Sequence, residues 1–81
     1  MSKIKYKIMQ KELIHDFFNH KNIWIDAQYV GTVSDKELAI KIAKNYKNIM
    51  NNYRYVVTEY VSICFFRFNS VDVWDSELEA K

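Results

Sequence analysis

The sequence predicts a small α+β domain: a two-layer sandwich of one antiparallel sheet with two helices on one face. Three observations predict it, namely period-two alternation near the N terminus, a capped amphipathic helix in the middle, and a β-branched and aromatic run after it. The predicted element order is β-α-β-β-α-β. At 81 residues the chain is one domain. We expect residues 1–68 to form it and residues 69–81 to be an acidic tail.

The first strand and the first helix are predicted from a change of period. Lysines alternate with apolar residues at the start, a pattern typical of a half-buried edge strand: Lys3, Ile4, Lys5, Tyr6, Lys7 and Ile8. Leu13, Ile14, Phe17 and Phe18 then fit one face of a helix over about residues 10–20. A helix beginning as early as Lys3 is the alternative.

A hairpin is predicted next, with residues 23–25 and 29–33 as strands around Asp26-Ala27-Gln28. Asp favours turns, but Ala27 stands where a tight turn prefers glycine, so a wider loop is the alternative. Gly31 inside the second strand indicates a bulge or a close backbone approach.

The second helix carries the clearest signals. Ser34 and Glu37 form a capping box at its start, and Asn51-Asn52 ends it. Ile40 lies within the lysine arc and is expected to be exposed. The apolar arc expected to face the sheet comprises Leu38, Ala39, Ile42, Ala43, Tyr46, Ile49 and Met50, and the opposite arc comprises Lys36, Lys41, Lys44 and Lys47.

Residues 53–68 form one β-prone run that is longer than a usual strand. One strand bent near Ser62 explains it, and so does a tight hairpin; both interpretations stay open here. The tail, with Val71, Val73 and Trp74 among acids, is either a short strand or a frayed end. The overall order matches that of ferredoxin-like domains.

Composition and charge limit the functional classes. The single cysteine, Cys64, excludes an internal disulfide, and neither a secretory signal nor an apolar run of membrane-spanning length is present, so we expect a cytoplasmic location. Residues 1–68 carry 11 Lys/Arg against 6 Asp/Glu, whereas residues 69–81 carry one Lys against four acids. Abundant Lys, Ile, Asn, Tyr and Phe suggest AT-rich coding in a low-GC bacterium or its phages.

Few residues of the sequence are arranged as catalytic or metal-binding sites require. We therefore expect that the protein is not an enzyme and binds no cofactor. Glu12, Asp16 and His20, with His15, would share a helical stripe, but a solvated helix face explains them equally well. Cys64 lies in an apolar run, where a thiol is usually buried and inert. One glycine cannot build a phosphate-binding loop, and one cysteine cannot build a cysteine zinc site.

Protein binding is the favoured hypothesis. So small a core leaves aromatic residues for a partner, and aromatic anchors supply most binding hot spots. We therefore predict a non-enzymatic protein-binding module, with a phage- or mobile-element-encoded inhibitor of a host or defence protein as its most specific form. The predicted contact residues are Trp24, Ile40, Tyr60, Phe65, Asp72 and Trp74.

Two alternatives remain beside it. A nucleic-acid-binding accessory protein would use lysine stripes and strand aromatics, although the acidic tail opposes phosphate. Its predicted contacts are Lys3, Lys5, Lys7, Lys41, Lys44, Lys47, Arg54 and Arg67. A homo-oligomeric structural protein is the third hypothesis.

Overall fold

The computed structural model describes residues 3–64 and 67–79 as four strands and two helices. The elements are β1 (Lys3–Asp16), β2 (Lys21–Val33), α1 (Lys36–Ile49), β3 (Arg54–Cys64), β4 (Arg67–Asp75) and α2 (Ser76–Glu79). The strands form one antiparallel sheet in the order β2-β1-β3-β4. This is an α+β fold, with the element order β-β-α-β-β-α in place of the predicted one.

The predicted first helix is wrong, because β1 continues through Asp16. Even-numbered residues of β1 keep facing α1 from Tyr6 and Ile8 to Gln10, and its pairing with β3 is uninterrupted from Lys3 to Lys11. Leu13 and Ile14 therefore point to opposite faces of the sheet. Their spacing suits a helix as well, but backbone pairing with a neighbouring strand decides the outcome.

The predicted hairpin around residues 26–28 is also wrong, since these residues lie within β2. Two register shifts between β1 and β2 leave Ala27 and Val30 without a partner on β1. Such bulges explain Ala27 without a turn. The chain reverses at residues 17–20 instead, where His20 has a φ of 55°.

The core lies between α1 and the sheet face that it covers, which we call the inner face; the opposite face is the outer face. Ala39 and Ala43 are fully buried at the centre of the helix contact, so the helix lies close to the sheet. The buried cluster consists of Tyr6, Ile8, Ala39, Ala43, Tyr55 and Val57.

Three residues of α1 lie where the sequence pattern did not place them. Leu38 is 44% and Ile49 is 72% exposed, although both were predicted to face the sheet. Ile40 was predicted to be exposed, but it is half-buried against the core. The cause is the alanine pair: the helix lies closest to the sheet at its smallest side chains, which turns Ile40 inward and moves Leu38 and Ile49 to the opposite edge.

The ends of α1 are close to the predicted ones. Asp35, one residue after the predicted cap, accepts a 3.1 Å hydrogen bond from the Glu37 backbone N–H. At the other end Lys47 Nζ donates to the carbonyls of Asn51 (2.7 Å) and Tyr53 (2.8 Å). Both carbonyls belong to the link after the helix, so these bonds tie that link to the last turn of α1.

The C-terminal segment is part of the sheet. β3 and β4 are antiparallel, so of the two interpretations of residues 53–68 the hairpin is correct and the single bent strand is not. The predicted domain boundary at residue 68 falls inside β4. Beyond it, Ser76 Oγ accepts a 2.9 Å hydrogen bond from the Tyr55 backbone N–H, which ties the segment to the core.

Candidate protein-binding surface

The β1–β2 hairpin extends beyond the rest of the sheet. Pairing between β1 and β3 ends where Lys11 meets Arg54, whereas pairing between β1 and β2 continues to Asp16 and Lys21. Residues 12–16 therefore have β2 as their one neighbouring strand in the described structure. We call residues 12–25 the arm. The longest dimension of the molecule, 45 Å, fits the 14 residues of β1 at about 3.3 Å each.

The tip of the arm carries the most exposed aromatic side chains of the described chain. Phe17 is 79% and Phe18 is 96% exposed. Adjacent exposed aromatic rings at the end of a projecting ribbon form an apolar patch of the kind that marks interaction sites.

Both faces of the arm carry apolar residues beside charged or polar ones: Glu12, Asp16 and Lys21 on the inner face, and His15 and Asn22 on the outer face. On the inner face Ile14 lies opposite Ile23, and Ile25 lies opposite Glu12. On the outer face Leu13 lies opposite Trp24. A two-stranded ribbon is at best marginally stable alone in water, so the arm depends on its cross-strand side-chain pairs and on its attachment to the sheet.

Local polar contacts hold the turn at the tip. The Asp16 carboxylate accepts hydrogen bonds from the backbone N–H of Phe18 (3.0 Å) and Asn19 (3.4 Å) and from Asn19 Nδ2 (2.7 Å). The bond from the Asn19 side chain is the main reason why the pKa of Asp16 lies below its usual value. His15 Nδ1 lies 3.0 Å from Asn22 Oδ1 across the strands, and the His15 ring contacts that of Phe17.

Arg54 joins the base of the arm to the C-terminal segment. Its guanidinium carbon lies 5.5 Å from the centre of the Trp24 ring, and its Nε donates a 2.9 Å hydrogen bond to Asp75 Oδ1. Burial alone would raise the pKa of Asp75, but the bonds from Arg54 and from the Glu77 N–H outweigh it, and the pKa lies below its usual value. The same ion pair raises the pKa of Arg54.

The outer face of the body is a shallow groove of about 220 Å³ that is lined mainly by polar and charged residues. Lys11 forms an ion pair with Asp26 at 3.1 Å, and Thr58 Oγ1 donates to Asp72 at 2.9 Å. Lys7 Nζ lies 5.0 Å from the centre of the Tyr60 ring, and its hydrogen bond with Tyr60 raises the pKa of Lys7. Lys11 and Asp26 offset each other's charge here, whereas Lys7 contacts a neutral ring and Asp72 a neutral hydroxyl.

The predicted partner-binding residues do not form one surface. Trp24, Tyr60 and Asp72 lie on the outer face, where Arg54, Lys7 and Thr58 respectively contact them. Ile40 and Trp74 are half-buried on the inner side, and Trp74 Nε1 is enclosed without a hydrogen-bond partner in the described structure. Phe65 lies outside the described residues.

The cations of the nucleic-acid hypothesis are also dispersed. Lys7 and Arg54 on the outer face and Lys47 at the helix end are bonded to protein groups. Lys3 and Lys5 are exposed on β1, and Lys41 and Lys44 lie on α1. The side chain of Arg67 lies outside the described ones. Among the described side chains, the lysines of β1 and those of α1 form no continuous basic stripe, because the strand and the helix lie in different layers of the domain.

The candidate metal site required Glu12, His15 and Asp16 to lie on a helix, but they lie on strand β1. Glu12 and Asp16 are four residues apart on β1, which separates them by about 13 Å along an extended chain. His20 lies in the turn, and His15 is on the opposite face from both acids. Throughout residues 3–64 and 67–79 no three His, Cys, Asp or Glu side chains come together as metal ligands. The Cys64 side chain lies outside the described ones.

The arm was not predicted from the sequence, although its residues were named. Leu13, Ile14, Phe17 and Phe18 were assigned to a buried helix face, so their exposure was not anticipated. One signal was available: Asp16 and Asn19, with side chains that bond their own backbone, flank the two phenylalanines as turn residues do.

No protein-family model matches this chain, and neither a curated protein nor a solved structure matches it. Across the described residues, neither helix has the length and apolar character required to cross a bilayer.

Proposed function

We propose that this protein is a small non-enzymatic protein-binding module whose contact element is the arm. The observation that supports it is the pair Phe17 and Phe18, largely exposed at the end of a projecting ribbon. Aromatic residues give the largest contact area for a modest loss of side-chain entropy, which is why they dominate binding hot spots.

An inhibitor of a host or defence protein is the most specific form of this proposal. A projecting ribbon with aromatic residues at its tip is shaped to enter a cleft, because it presents both faces and its end to a concave surface. The composition that suggests a phage or mobile element supports this form independently of the geometry.

Affinity capture with matched variants tests the proposal. We expect Phe17→Ser/Phe18→Ser to lose partners that the unmodified protein retains, since the tip would no longer anchor them. Leu38→Ser is the control, because Leu38 is an exposed apolar residue on α1, away from the arm. Retention of the same partners by both variants would rule out the arm as the contact element.

Nucleic-acid binding stays a second hypothesis, and it has less support from the surface. It predicts single-stranded oligonucleotide binding that weakens steeply with salt, because binding to phosphates releases counterions. Such binding, undiminished in Phe17→Ser/Phe18→Ser, would favour this hypothesis over the arm.

A further inference from the structure

Three lysines share the outer face of the sheet at the start of β1, and we call them the lysine row. Lys3, Lys5 and Lys7 alternate with Ile4 and Tyr6, and Tyr6 belongs to the core on the inner face. Consecutive lysines of the row are two residues apart, or about 6.8 Å along an antiparallel strand. Lys3 and Lys5 are exposed and Lys7 is half-buried, so the row is open to solvent.

Positive charge is concentrated at this end of the outer face. Farther along the sheet, Lys11 is paired with Asp26, and Arg54 is paired with Asp75. Each of these pairs cancels one cation against one acid. Asp72 is the one acid on the described outer face that lies outside the two pairs. Three lysines against one acid leave a net charge of +2 at the start of β1.

Hydroxyl groups lie beside the lysine row. On β3 the residues opposite the three lysines all carry a hydroxyl: Ser62, Tyr60 and Thr58. On β4, Ser70 lies opposite Tyr60. The hydroxyls of Ser, Thr and Tyr bind phosphate oxygens in nucleic-acid complexes, as lysine does. A row of cations and a row of hydroxyls therefore run side by side along two neighbouring strands.

The shallow groove of the outer face meets this row. Lys7 lines it together with Thr58, Tyr60, Ser70 and Asp72. Lys7 Nζ lies 5.0 Å from the centre of the Tyr60 ring, and its hydrogen bond with Tyr60 raises the pKa of Lys7, so the ammonium stays charged at neutral pH. Surfaces that bind single strands combine a cationic groove with aromatic side chains in this way.

We propose that the lysine row and the hydroxyls beside it bind the sugar–phosphate backbone of single-stranded nucleic acid. A single line of cations fits one strand, whereas a duplex presents two strands across a groove. The lysine spacing is about twice the 3.4 Å per phosphate of a duplex strand, and a single strand with unstacked bases extends to it. The site lies on a different surface from the arm, so it adds a second ligand to the proposed protein-binding function.

Fluorescence anisotropy of the full chain with a labelled oligothymidylate tests the site. An oligothymidylate of about 12 nucleotides has no stable secondary structure and falls within the usual site sizes of single-strand binders. Each neutralised phosphate of a single strand contributes about −0.7 to the slope of log affinity against log salt, so three lysines predict a slope of about −2. The affinity should therefore fall about 20-fold between 50 and 200 mM salt.

Lys5→Gln and Lys41→Gln form a matched pair, because each removes one exposed lysine and both leave the same net charge. Lys5 is the centre of the row, whereas Lys41 lies on α1 in the other layer. Lys5→Gln should reduce the slope to about −1.4 and lower the affinity at low salt severalfold, whereas Lys41→Gln should change neither. Lys5→Arg keeps the charge and should keep the slope of the unmodified protein.

Three outcomes would overturn the proposal: no binding of the oligothymidylate at low salt, equal losses in Lys5→Gln and Lys41→Gln, or equal competition by poly-glutamate, which has the charge but no phosphates. Phe17→Ser/Phe18→Ser should bind the oligothymidylate as the unmodified protein does, and Lys5→Gln should keep the protein partners of the arm. Failure of the lysine row therefore leaves the arm as a contact element, and failure of the arm leaves the lysine row as a site.

Discussion

Arg54 and Asp75 form an ion pair that joins the first residue of β3 to the last residue of β4, beside the base of the arm. The Asp75 carboxylate is 8% exposed and also accepts a 3.0 Å hydrogen bond from the Glu77 N–H. We expect Asp75→Asn to destabilise the fold by about 2–3 kcal/mol, because it leaves a partly buried guanidinium without its counter-charge. Urea unfolding at neutral pH measures the change.

The same residue predicts an acid dependence. The pKa of Asp75 is lower in the folded state, so its stabilising contribution is complete above the ordinary carboxyl pKa and is lost as the pH falls through the folded value. The free energy of unfolding of the unmodified protein should therefore decrease with acid more steeply than that of Asp75→Asn. Parallel pH curves would contradict this assignment.

Gln10 and Tyr55 predict a cooperative effect in the core. Gln10 is buried, and its Nε2 donates a 2.8 Å hydrogen bond to the Tyr55 hydroxyl. Tyr55→Phe should cost about 1–3 kcal/mol, because it leaves the buried amide without an acceptor. In a double-mutant cycle Gln10→Leu/Tyr55→Phe should cost less than the sum of the single changes. Additive costs would show that the bond contributes little.

The alanines of α1 predict the effect of added volume. Ala43 is fully buried where the helix lies closest to the sheet, so Ala43→Leu should destabilise the fold by about 1–3 kcal/mol. Leu38→Ala, at an exposed position of the same helix, should change stability far less. Thermal unfolding of the two variants compares them, and a neutral Ala43→Leu would show that the helix can move away from the sheet at little cost.

Hydrogen exchange should distinguish the arm from the body. Backbone amides in residues 12–16 and 21–25 belong to a two-stranded ribbon, whereas β1 before Lys11 lies between two strands. At low protein concentration the arm should exchange faster, because local opening costs less there. Equal protection of both parts of β1 under these conditions would mean that the arm is stable by itself.

The sequence predicted the fold class and the central helix but not the first half of the topology. α1 was found because the predicted capping residues Ser34 and Glu37 and the lysine arc are local signals of one helix, although the residue that caps it is Asp35. The arm was not found because Leu13, Ile14, Phe17 and Phe18 satisfy both periods, and only pairing with β2 decides between them. Exposure at Leu38 and Ile49 depends on how closely α1 approaches the sheet, which residue spacing along one helix does not encode.

The central position of β1 in the sheet has a consequence for synthesis on the ribosome. β1 and β2 are synthesised before β3 and can form their hairpin at once. The second neighbour of β1 is β3, and each of its residues lies more than forty positions after its partner on β1. Until β3 and α1 are made, the apolar inner face of β1 is exposed to water, and a chaperone can bind it there.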